Sequence, residues 1–242
     1  GSHPEYWTAD MLDALEDYLG AGGRLMYLGG NGFYWVTAMD AARPHVVEVR
    51  RGINGTRSWT SEPGEWRMSL TGEIGGLWRY RGRYPNRVAG VGFASEAWDK
   101  GSPYHRLPDS HDPRAAFVFA GIGDEPIGGF GLVGNGAAGD EIDRYDLALG
   151  TPSEALRLAT SEGEHSDEFQ LVVEDTEHSR LDHGGTVCPK VRSDLVLIET
   201  PNGGAVFSVG SINWIGSMAH HDFANNTARL SENVLRRFAE LE

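Results

Sequence analysis

The sequence predicts an α/β domain of three layers, with helices on both faces of a largely parallel sheet. Three observations carry this expectation. Leu25 to Leu28 is a short apolar run between glycines, preceded by an amphipathic helical stretch. Leu195 to Ile198 reads Leu-Val-Leu-Ile, a continuous apolar block suited to a strand covered on both faces. The last stretch, Asn225 to Leu241, repeats apolar residues at helical spacing.

Taken in order, Thr8 is a good N-cap with Asp10 in the first turn. Met11, Leu12, Leu15 and Leu19 form its stripe, and Gly20, Gly22 and Gly23 end the helix. A helix followed by a buried strand is half of a βαβ unit, so the strand before Ser2 is expected in a longer protein from which this domain, 1–242, is cut. After Leu28 the Gly-Gly-Asn-Gly turn permits positive φ and a close backbone approach. Ligands of open α/β sheets bind beyond the carboxyl ends of strands, which makes Asn31, Phe33, Tyr34 and Trp35 candidates for a site. The alternative is a tight turn whose aromatics pack into the core. His45 to Arg50 is expected as a strand. Trp59 to Trp78 is expected as an ordered loop over the strand ends, and Val88 to Phe93 and Ala115 to Ile122 as strands. Gly128 to Gly139 resembles a nucleotide fingerprint, but Asp140, Glu141, Asp143 and Asp146 would repel a phosphate, so an irregular turn is expected. Ala155 to Thr160 and Phe169 to Glu174 have strand character. Ser193 to Glu199 and Gly204 to Ser211 are joined by a hairpin-type turn, and Leu230, Val234, Leu235 and Phe238 form the buried face of the last helix.

Composition narrows the function. With 242 residues, 40% of them hydrophobic, the chain can fill a core, and no apolar run reaches the roughly 18 residues of a membrane helix. A net charge of -14 with scattered arginines argues against nucleic acid and anionic lipid. A single cysteine, Cys188, fits a reducing cytoplasm and excludes an intramolecular disulfide. Nine histidines show no zinc-helix spacing, and no nucleophile elbow occurs for serine or cysteine. What remains is a run of oxygen-bearing side chains at expected strand ends: Ser2, Tyr6, Asn31, Tyr34, and Glu65 or Glu73. Phenolate and carboxylate oxygens are hard donors suited to high-valent iron, although tyrosines at strand ends usually pack and donate one hydrogen bond.

Ser2-His-Pro-Glu-Tyr-Trp7, Leu28-Gly-Gly-Asn-Gly-Phe-Tyr-Trp35, Pro63-Gly-Glu65, Thr71-Gly-Glu-Ile-Gly-Gly-Leu-Trp-Arg79, Gly90-Val-Gly-Phe93 and the stretch from Gly203 to Trp214 together resemble the C-terminal domain of N,N-dimethylformamidase large (beta) subunits. The resemblance spans nearly the whole chain. It implies a Rossmann-like, class I glutamine amidotransferase-like fold and a mononuclear ferric (Fe3+) iron held by two tyrosines and one glutamate. Carried over, Tyr6 and Tyr34 would be the phenolate ligands and Glu73 the carboxylate, with Glu65 as the second choice. The implied activity is hydrolysis of a small N-substituted amide of the formamide type. Ser2 and Glu199 would orient the attack, and Asn31, Phe33 and Trp35 would line the substrate. The implied partners are a small subunit and an N-terminal domain of the same chain. The competing reading is a non-catalytic domain of the same fold that binds a small ligand or a subunit through its aromatic loops.

Overall fold

A computed structural model describes residues 1–51, 62, 64–176 and 180–240. In chain order the elements are β1 (Tyr6–Trp7), α1 (Ala9–Gly20), β2 (Arg24–Tyr27), β3 (Trp35–Met39), β4 (Val47–Val49), α2 (Pro85–Ala89) and β5 (Gly92–Ser102). They continue as β6 (His105–Arg106), β7 (Ala138–Arg144), β8 (Leu156–Thr160), β9 (Gln170–Leu171), β10 (Asp194–Thr200), β11 (Gly204–Ser208), α3 (Trp214–Met218) and α4 (Asn226–Phe238).

The sheet is not largely parallel, which corrects the Rossmann-like expectation. A five-stranded sheet runs in the order β2-β11-β10-β8-β6, and two three-stranded sheets run β1-β3-β4 and β7-β5-β9. Among the described residues only β2 with β11 and β1 with β3 pair in parallel; β10 is antiparallel to both its neighbours. The cause is local. Asn202 and Gly203 adopt positive φ (61° and 81°), so the chain reverses within a few residues instead of crossing over through a helix. A continuous apolar run reports burial on both faces, which an interior antiparallel strand shares with a parallel one.

Leu195 to Ile198 is interior as expected, at 3% exposure or less. Leu25 to Leu28 is not: β2 is an edge strand with half-buried residues. Helix α1 begins at the Thr8 cap, whose hydroxyl accepts from the Met11 amide at 3.1 Å. Its Leu12 and Leu19 join Val196, Ile198 and Val206 on one face of the sheet, while Trp214, Leu230 and Val234 from α3 and α4 join Leu195, Leu197 and Phe207 on the other. Leu235 points outward, 54% exposed, since it lies off the stripe made by Leu230 and Val234.

Two expected strands are otherwise. Val88 and Ala89 close α2, which Pro85 opens and Gly90 ends in a left-handed conformation, and the strand β5 starts only at Gly92. Ala115 to Ile122 is a series of tight turns. Trp59 and Pro63 lie outside the described residues. Of the rest of that loop, Gly76 to Trp78 lies against the start of β3, where the Val36 amide donates to the Gly76 carbonyl and the Trp78 amide to the Tyr34 carbonyl.

Candidate functional site

The turn after β2 is clamped from both sides. A Cβ at Gly29 would stand 2.4 Å from the Ser2 carbonyl oxygen, and one at Gly30 would stand 2.4 Å from that of Glu141. These glycines let the amino-terminal segment and β7 close on the turn, with Asn31 and Phe33 at positive φ (49° and 58°). The first segment is held by its main chain: Gly30 N–H donates to Ser2 C=O, Phe33 N–H to Pro4 C=O, and Tyr34 and Trp35 N–H to Glu5 C=O.

This closure brings together His3, Glu5 and Glu141, whose ligating atoms all lie within 4.8 Å of one another. His3 Nε2 is 3.3 Å from Glu5 Oε1 and 2.8 Å from Glu141 Oε2. The second approach is close but makes no hydrogen bond, so the buried Glu141 Oε2 has no hydrogen-bond partner, and neither has Asn31 Oδ1. Asn31 Nδ2 donates to Glu5 Oε1 at 2.9 Å. Beneath them Asp143 accepts from the Asn31 amide (2.8 Å) and the Tyr27 hydroxyl (2.7 Å), and that hydroxyl accepts from the Gly32 amide (2.7 Å).

The hollow is rich in negative charge. Glu96 on β5 stands directly across the ladder from Glu141, a like-charge pair that destabilises a bare sheet. Burial raises the pKa of Glu5 and of Glu141; His3 opposes both shifts and Glu96 adds to both. Burial chiefly pushes Asp143 up to about 7, against its hydrogen bonds from Asn31 and Tyr27. Tyr6, 53% exposed, is raised by burial and then by the neighbouring Glu5, with Arg51 pulling the other way. Two hard carboxylates, Glu5 and Glu141, and the His3 imidazole beside buried oxygens that accept no hydrogen bond form a donor set that a cation would complete.

The other residues expected at the site are distributed as follows. Tyr34 is buried with Trp35, Leu77, Phe93 and Val172, and its hydroxyl donates to Glu174. Burial and that carboxylate raise its pKa, and Glu96 adds to the rise, so Tyr34 feels the same carboxylate field as Glu5 and Glu141. Glu73 is held by Arg81 at 2.9 Å and Thr71, and Glu65 by Arg50, rather than by either tyrosine. Phe33 packs between Trp7 and Tyr27 in the core, and Trp35 lies under the Arg51 guanidinium. Ser2 contributes its carbonyl to the Gly30 amide. Glu199 is not brought to this place. Its register partner Ala205 is also paired with Arg24, at the opposite end of β2 from Tyr27 and roughly 10 Å down the strand. There it faces Arg114 at 3.6 Å.

Sequence reasoning missed His3, Glu5, Glu96, Glu141 and Asp143. The available signal was the alternation Glu141-Ile142-Asp143, which puts two carboxylates on one face of a strand.

Residues 1–228 match the family described as N,N-dimethylformamidase beta subunit-like, C-terminal. The chain is similar to the N,N-dimethylformamidase beta subunit of Paracoccus aminophilus, 44% identical over 243 residues that cover 100% of this chain and 32% of that protein. It is similar to the N,N-dimethylformamidase beta subunit of Alcaligenes sp at 43% identity with the same coverage. The chain therefore spans about a third of the length of the curated relatives it matches.

Proposed function

The chain belongs to the N,N-dimethylformamidase beta subunit-like C-terminal family, and from that premise we propose that it carries the amide-hydrolysing centre of such a subunit. The substrate is a small N-substituted amide of the formamide type, cleaved to amine and carboxylate. The observation that supports this reading is the His3, Glu5 and Glu141 cluster, with buried Glu141 and Asn31 oxygens that accept no hydrogen bond, at the end of β2.

The group the resemblance implies is iron, and the residues fit a cation on chemical grounds: hard donors, excess negative charge and buried oxygens that accept no hydrogen bond in one hollow. His3, Glu5 and Glu141 would hold it, with the Tyr6 phenol beside Glu5. Iron in that position supplies Lewis acidity towards an amide carbonyl. Glu141 takes the carboxylate role that the resemblance gives Glu73, since Glu73 is neutralised by Arg81. For Tyr34 to join as the second phenolate, its hydroxyl must leave Glu174.

The remaining steps belong to the chain's own groups. Glu96, across the ladder from Glu141 and outside the ligand set, can take a proton from water and return it to the departing amine. Asn31 Oδ1 is free to orient that water, and Asp143 fixes the Asn31 backbone. Trp35 and Arg51 border the hollow.

The test uses the complete subunit loaded with iron. Metal content and formate release are measured for His3→Ala, Glu141→Gln and Glu73→Gln. The first two should lose iron and activity while the third keeps both. Loss of iron in Glu73→Gln alone would return the carboxylate role to Glu73, and three variants as active as the parent would favour a non-catalytic binding domain.

A further inference from the structure

The five-stranded sheet ends on β2, which among the described residues is paired on one side only. The direction of its backbone groups follows from two bonds: Ala205 N–H donates to Gly23 C=O (3.2 Å) and Val209 N–H to Tyr27 C=O (3.0 Å). Gly23, Leu25 and Tyr27 thus face β11, and Arg24, Met26 and Leu28 turn their N–H and C=O groups outward. At Arg24 one side chain satisfies the outward pair. The Tyr18 hydroxyl accepts from its N–H at 3.0 Å and donates to its C=O at 3.2 Å. Among the described residues nothing does the same for Met26 and Leu28.

Beside these two residues lies a groove of about 510 Å³ against α4, lined by Met26, Leu28, Met218, Phe223 and Leu235. Phe223 is 62% exposed. It stands at the end of three successive left-handed residues, His221 (φ 51°), Asp222 (53°) and Phe223 (66°). Asn225 Nδ2 braces this turn through the carbonyls of Met218 (2.9 Å) and His220 (2.6 Å). A turn in this conformation that presents an aromatic ring beside an open strand has the form of one half of an interface.

We propose that this edge is completed by one β-strand from the part of the longer subunit outside these 242 residues. The strand bonds its main chain to Met26 and Leu28 and fills the groove with apolar side chains. Two observations select that occupant over a second copy. The relatives are about three times as long as this chain, and a strand on the same polypeptide is present at high effective concentration. A two-fold antiparallel pairing of β2 about Met26 would set Arg24 against Leu28 of the other copy, and Tyr18 already occupies the groups of Arg24 that such a pair needs. The proposal is independent of the catalytic reading, because the groove shares no residue with the His3, Glu5 and Glu141 cluster.

The experiment uses the complete subunit with a photoreactive benzoylphenylalanine in place of Phe223, an exposed position outside the core. The cross-linked peptide should come from the same polypeptide, outside the stretch described here, in a species of single-subunit mass. A cross-link to a second copy or another polypeptide, or none, overturns the proposal. Hydrogen exchange on the unmodified subunit gives a second readout. The Met26 and Leu28 amides should be protected like those of Leu25 and Tyr27. Exchange on the order of a hundredfold faster at Met26 and Leu28, with Val196 and Leu197 still protected, overturns it as well.

Discussion

Replacing Asp143 by Asn should change how the metal-free protein responds to pH, and the size of the change follows from its burial. Asp143 is 1% exposed, and its pKa stands at about 7 when folded against an ordinary 3.8. Between those values the folded chain keeps a proton that the unfolded chain has lost. The contribution to stability is therefore complete below about pH 4 and is lost as pH rises through 7. Each pH unit of that gap corresponds to about 1.4 kcal/mol, so roughly three units amount to about 4 kcal/mol at most. For a chain of this size that is roughly 10 °C in melting temperature. Asn does not titrate. Its Oδ1 can still accept from the Asn31 amide, which Asp143 now holds at 2.8 Å. Thermal unfolding of chelator-treated parent and variant between pH 4.5 and 7.5 isolates the effect, since groups remote from Asp143 cancel in the difference and Glu141 and His3 enter only through smaller charge couplings. The variant should gain on the parent steadily as pH rises. A difference that is flat with pH, or that moves the other way, would refute the assignment of a raised Asp143.

Three further outcomes rest on different parts of the structure. Glu73→Gln should lower stability by less than about 1 kcal/mol in chemical denaturation, because its ion pair with Arg81 is at the surface. Asn225→Ala should cost about 1 to 2 kcal/mol by the same assay, since its side chain accepts from the Ala228 amide at 2.9 Å to cap α4. Gly75→Ala should cost roughly 1 to 3 kcal/mol, because the new Cβ would stand 2.1 Å from the Arg50 carbonyl oxygen and the loop must shift; a melting temperature equal to the parent's would show that it moves freely.

Local chemistry made some elements legible. Thr8 followed by Asp10, the Asn202-Gly203 turn and the spacing of Leu230 and Val234 each specify their own conformation, and each is found where the residues place it. Apolar runs were less informative. Val88 to Phe93 and Ala115 to Ile122 have the length of strands, but Pro85, Gly90 and Pro113 are the residues that determine what forms there. Strand direction was not legible at all from Leu195 to Ile198, since burial looks the same for parallel and antiparallel neighbours. At the candidate site, the turn that follows β2 singles out Asn31, and resemblance to a family motif singles out Tyr6. The partnership of His3 and Glu5 with Glu141 depends on how the Gly29-Gly30 turn seats against β7, a tertiary fact that no spacing within either segment contains.

The way the first segment is attached has a kinetic consequence. His3 and Glu5 ride on a stretch that is fastened to the turn after β2 by main-chain bonds at Ser2, Pro4 and Glu5, while Glu141 belongs to the β5 and β7 ladder. The segment can therefore detach at its free energy of local opening and leave the five-stranded sheet intact. If the cluster holds an ion, its loading and loss follow the local opening of the segment that carries His3 and Glu5 rather than the unfolding of the domain, so two preparations with the same melting temperature can differ widely in how fast they exchange metal.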